Sequence, residues 1–76
     1  MVKLHKMTWR KTLEWYGKPV LWDEKTDLDH VIPETYWAEI NGDKYELSKG
    51  AIGWNITLNG EGGYYCETLK EFRNQF

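Results

Sequence analysis

The dipeptide Asn41-Gly42 constrains this chain most, because it lies between two runs in which apolar and polar residues alternate. That pattern is the strongest short-range signal for a β-hairpin. A two-residue type I′ turn requires positive φ at both central positions, which Asn and Gly tolerate best. With these two residues as the loop, Ile40 faces Asp43, Glu39 faces Lys44, Ala38 faces Tyr45, Trp37 faces Glu46 and Tyr36 faces Leu47. Tyr36, Ala38, Ile40, Tyr45 and Leu47 then share one face. Trp37, Glu39, Lys44 and Glu46 share the other, with Glu39 and Lys44 opposed as an ion pair. A slip of one residue would mix the two sets, so the register is specified.

The alternation resumes after Lys49-Gly50. Ile52, Trp54, Ile56 and Leu58 point one way, and Gly53, Asn55 and Thr57 the other, which predicts a third strand over Ile52 to Leu58. Its free side is an uncovered edge that a second copy could pair with, so a homodimer is open. Gly60 to Gly63 reads as a strand break and flexible turn. Thr68 followed by Glu71 is a capping-box pattern, and Leu69, Phe72, Arg73 and Phe76 follow at helical spacing. A short amphipathic helix over about 68–75 is expected on the apolar sheet face, held by packing because it is too short to persist alone. The expected class is α+β. A single domain, 1–76, holds an antiparallel meander over about 35–58, a preceding β-hairpin or short helix, and the C-terminal helix packed on the sheet.

The amino-terminal half is less determined. Val2 and Leu4 alternate with Lys3 and His5, which suits a short edge strand. Thr8 to Tyr16 has two readings. As a helix, Thr8 caps it, Trp9, Leu13 and Tyr16 share a face, and Gly17 ends it with Pro19 beyond. As a strand, it turns at Gly17-Lys18-Pro19 into Val20-Leu21-Trp22, and the aromatic and β-branched residues around that turn tip the reading toward a hairpin. Asp23 to Glu34 is a polar connection with five acidic side chains, either a linker or an exposed binding loop.

Composition narrows the function. Seventy-six residues make one small domain, and five Trp, five Tyr and two Phe supply the buried area that its size makes scarce. One cysteine excludes an internal disulfide. The opening Met-Val-Lys-Leu-His-Lys does not have the pattern of a signal peptide and no apolar run approaches a membrane span, so a cytosolic chain with no membrane partner is expected. Residues 1–20 carry Lys3, Lys6, Arg10, Lys11 and Lys18 against Glu14, whereas residues 21–48 carry eight acids against Lys25 and Lys44. These two regions read as solvated surface, or as surfaces for different partners or for each other.

Motifs for chemistry are sparse. Leu28-Asp29-His30-Val31-Ile32-Pro33 resembles the first motif of HNH nucleases, but that family also needs a downstream His, and no histidine follows His30. His5, His30 and Cys66 lack metal-ligand spacing, and the run Asp23, Glu24, Asp27, Asp29 lacks the central Gly and closing Glu of an EF-hand loop. Cys66 precedes Glu67, whose charge would raise the thiol pKa. Glu61 would repel a phosphate from the glycines beside it. No catalytic residue, metal site or cofactor is therefore expected.

Two classes of binding function remain. In size and composition the chain resembles the small accessory proteins that phages encode to block host enzymes or defence systems, which implies a non-enzymatic inhibitor or adaptor acting in the host cytosol. Its partner would be a protein, such as the basic surface of a nucleic-acid-handling or defence protein. Trp37, on the polar sheet face, and Trp22 are the candidate anchors, with Asp23, Glu24, Asp27, Asp29, Glu39 and Glu46 as the acidic contacts. If Trp37 is an exposed anchor, Trp37→Ala leaves folding nearly intact. The alternative is a nucleic-acid module. Three strands and a helix resemble, in outline, the AP2-type and integrase amino-terminal DNA-binding domains, although the strands here carry Glu39, Asp43 and Glu46 against Lys44 and Lys49. The basic set Lys3, Lys6, Arg10 and Lys11, with Trp9, would then bind a single strand by charge and stacking. What separates the two is whether those cations converge on one surface with exposed aromatic rings.

Overall fold

A computed structural model of the chain describes residues 2–17 and 27–76. Seven elements follow in order: β1 (His5–Thr8), α1 (Trp9–Tyr16), β2 (Val31–Ile40), β3 (Asp43–Lys49), β4 (Trp54–Leu58), β5 (Glu61–Cys66) and α2 (Leu69–Arg73). The strands form one antiparallel sheet in the order β1-β2-β3-β4-β5.

The β2–β3 hairpin has the register read from the sequence, from Tyr36 opposite Leu47 to Ile40 opposite Asp43. Asn41 and Gly42 have φ of 53° and 86°, as a type I′ turn requires. One face of the sheet carries the core of Tyr45, Leu47, Trp54, Ile56 and Cys66, closed by Phe72 from α2. Tyr45, Phe72 and Phe76 form an edge-to-face triangle with centroids 5.1–5.5 Å apart. Thr68 caps α2 by accepting from the Glu71 N–H at 3.1 Å, while the Glu71 carboxylate accepts from the Glu67 N–H at 2.9 Å, a capping box one residue out of register.

Three expectations are corrected. The fold is mostly β rather than α+β: a five-stranded sheet dominates, and the helices have only eight and five residues. The C-terminal helix is shorter than 68–75 and buries one residue, Phe72, so it plugs the core face and does not form a layer. Its turn count is limited because Arg73 is followed by the short Asn74 and Gln75 turns that bring Phe76 back onto Tyr45.

The second correction concerns residues 59–66. Asn59 and Gly60 have φ of 53° and 78° and turn the chain directly into β5, repeating the Asn41-Gly42 device. Two residues, Gly62 and Gly63, then oppose Thr57 in a bulge between the pairs Ile56–Tyr64 and Leu58–Glu61. A Cβ at Gly63 would overlap the Ile56 carbonyl, so the glycine there serves a close backbone approach. Strand β4 is consequently interior, and the edge expected to be free for a twin is paired with β5. Ile52, expected in the strand, is in the β3–β4 loop and 83% exposed.

Thirdly, Trp9–Tyr16 is a helix and not the first arm of a hairpin. Thr8 Oγ1 accepts from the Lys11 N–H at 3.2 Å, and the Gly17 N–H closes the last turn on Leu13 O at 2.9 Å. The amides of Trp9 and Arg10 donate to His30 O and Leu28 O, so the start of α1 is satisfied by the segment before β2. The expected return arm Val20-Leu21-Trp22, with Asp23 and Glu24, lies outside the described residues. No described helix is long and apolar enough to cross a membrane.

Candidate functional site

Helix α1 lies on the sheet face opposite the core, where the pleat places Trp37, Glu39, Lys44 and Glu46. His5 pairs with Trp37 across β1 and β2, and their rings stack 4.3 Å apart at 21°. Trp15 meets Trp37 edge-on at 5.4 Å, and the Lys11 ammonium sits 4.1 Å from the Trp37 centroid while binding Glu14 Oε2 at 3.0 Å. Trp37 is thus half-buried beneath α1, on the predicted face but covered. Trp15 Nε1 is buried there without a hydrogen-bond partner. Lys44, opposite Glu39 in the register, turns its ammonium toward the Trp15 ring at 5.9 Å.

The Tyr16 hydroxyl lies near the Glu46 carboxylate at the end of α1. Burial and then the Glu46 charge push the phenol up to about 12. Burial raises the Glu46 carboxyl, and the nearby Tyr16 hydroxyl partly offsets this. Cys66 is wholly buried, and its thiol is pushed up by burial first and by Glu71 second, while Gln75 donates to Sγ at 3.5 Å. Among the described residues no three His, Cys, Asp or Glu side chains gather as a metal would need.

The charged regions meet each other in part. Arg10 binds Asp29 Oδ1 at 3.0 Å, and Asp27 Oδ1 accepts from the Asp29 N–H at 3.0 Å. Asp29 therefore faces its own chain, Glu46 is half-buried, and Glu39 stays exposed. Trp9 is half-buried at the start of α1.

The basic residues converge along β1. Strand β1 pairs with β2 on one side and has no strand beyond it among the described residues. A groove of about 590 Å³ runs along it, lined by Lys6, Arg10, Lys11, Glu14, His5 and Trp37. A second hollow of about 480 Å³, with Lys3, Glu39 and Asn41 on its wall, meets the first at the His5–Trp37 stack. Sequence reasoning named most of these residues and read an edge strand from the alternation of Val2 and Leu4 with Lys3 and His5; the strand lies further on, at His5–Thr8, and forms their common floor. Comparison with protein-family models, curated proteins and solved structures finds no match to this chain.

Proposed function

We propose that the chain is a non-enzymatic protein-binding module that acts by occupying a partner's surface. The observation behind this reading is the edge strand β1, unpaired on one side among the described residues and flanked by two grooves that join at His5 and Trp37. Edge strands bind other chains through main-chain hydrogen bonds, and adjoining hollows select side chains. Exposed Ile52, Tyr64 and Tyr65 add apolar surface around the opposite edge, β5. Blocking a target, as the size and composition suggest, needs nothing beyond such occupation.

The nucleic-acid reading draws support from the convergence of Lys3, Lys6, Arg10 and Lys11 around the grooves. It is the weaker of the two because the aromatic rings there are not free platforms: Trp37 lies between His5 and Lys11, and Trp15 packs on Trp37. Base stacking needs an open ring face. Affinity capture from lysate, with and without nuclease, separates the readings. A single stoichiometric protein that survives nuclease and rebinds in purified form supports the module. Recovery that vanishes with nuclease and falls steeply with salt overturns it.

A further inference from the structure

We infer that β1 accepts an extended acidic segment of a partner protein as a sixth strand, with Lys3, Lys6 and Arg10 receiving its carboxylates. This rests on the protein-binding reading and names its site and partner chemistry.

Three observations combine. Among the described residues no strand pairs with the outer edge of β1, so its outward N–H and C=O groups line a groove floor, and α1 forms one wall. An added strand satisfies such groups at the ordinary strand spacing. Lys3 and Lys6 are exposed and form no ion pair with any described residue. Glu14 and Glu39 also line the hollows, but Glu14 is already bound to Lys11.

The third observation is that a carboxylate already occupies the wall. Asp29 binds Arg10 at 3.0 Å, with 59% and 78% of the two side chains exposed. A pair so exposed contributes little to stability, so a partner's carboxylate can replace Asp29 at little cost. Backbone approaches the same helix, since Leu28 O and His30 O accept from the Arg10 and Trp9 amides. The segment before β2 thus combines main-chain bonding with an acid on Arg10, the pair of interactions an added strand would repeat along β1.

The test uses the full chain and a fluorescein-labelled peptide of about eight residues, alternating Glu with Val or Thr, the length of an ordinary strand. Anisotropy should show binding that weakens about tenfold in Lys3→Glu/Lys6→Glu, whose exposed sites leave the fold unchanged by circular dichroism. Methylating alternate peptide nitrogens should weaken it by a similar factor or more. Amide resonances of His5–Thr8 should shift, and those of Glu61–Cys66 should not. Equal binding of a Gln-for-Glu peptide, indifference to N-methylation, or tighter binding of a single-stranded oligonucleotide of equal charge would each overturn the inference. If the lysate partner is still captured by Lys3→Glu/Lys6→Glu and the peptide never binds, this inference fails while the protein-binding reading stands. Capture that is lost to nuclease removes both.

Discussion

Trp37→Ala is the most informative single change, because the anchor and packing roles of this ring predict different outcomes. A free anchor can be truncated with almost no effect on folding. The ring in the structure stacks on His5 at 4.3 Å, meets Trp15 at 5.4 Å and carries the Lys11 ammonium at 4.1 Å. Truncating a fully buried Trp costs about 3–5 kcal/mol, and a half-buried one roughly half of that. Each aromatic pair adds about 0.5–1.5 kcal/mol beyond area. The partly buried cation–π contact adds on the order of 1 kcal/mol. Because these contributions overlap, about 3 kcal/mol is the reasonable expectation, a large share of the roughly 5–15 kcal/mol that holds a domain together. In a domain of this size that loss lowers Tm by on the order of 15 °C. Thermal unfolding followed by circular dichroism measures it, and a double-mutant cycle with Lys11→Met should return a coupling of about 0.5–1 kcal/mol. A Tm drop below about 3 °C would refute the packing role and return Trp37 to the solvent as an anchor.

Phe72→Ala removes a ring with no exposed surface that closes the core against Tyr45 and Phe76, and should cost about 3–5 kcal/mol, leaving the protein near its unfolding threshold at 37 °C in urea titration. Gly63→Ala forces β5 away from the Ile56 carbonyl, so hydrogen exchange should accelerate at Tyr64–Cys66 while the β2–β3 hairpin keeps its protection. Tyr16 favours its neutral form in the fold, so its contribution is complete below the ordinary phenol value of 10.0 and is lost as pH rises through about 12. Ultraviolet titration should find Tyr16 ionising late, beside Tyr64 and Tyr65, which are also raised, and the Tyr16 step should be accompanied by a falling Tm. Glu46→Gln should bring that ionisation down without restoring it fully, since burial remains its larger cause. A titration unchanged in that variant would show that Glu46 has no influence on Tyr16. Glu46 is itself raised by burial, so its ionisation opposes folding as pH rises through its raised value. Glu46→Gln should therefore melt no lower than the parent near neutral pH.

The amino-acid sequence by itself determined what depends on neighbours a few residues apart. Asn41-Gly42 supplied the two positive φ angles, and period-two alternation on either side specified the register and the core face of β2 and β3. Thr68 placed the start of α2 because a cap needs only the amide three residues on. The same local logic was present at Asn59-Gly60, but the glycines that follow hid it: glycine lacks the side chain from which alternation is read, and its role at Gly63 is defined only by the Ile56 carbonyl of the adjacent strand. Tertiary structure decided the rest. Thr8 to Tyr16 carries signals for helix and strand alike, and an eight-residue helix is marginal alone. Its state is settled by docking Trp15 and Lys11 on Trp37 and Tyr16 on Glu46, with Leu28 and His30 carbonyls on its first amides. Whether Trp37 faces solvent, and whether scattered lysines share one groove, depends on where that helix lands. Such contacts join residues 18 to 30 positions apart, and no local pattern encodes them.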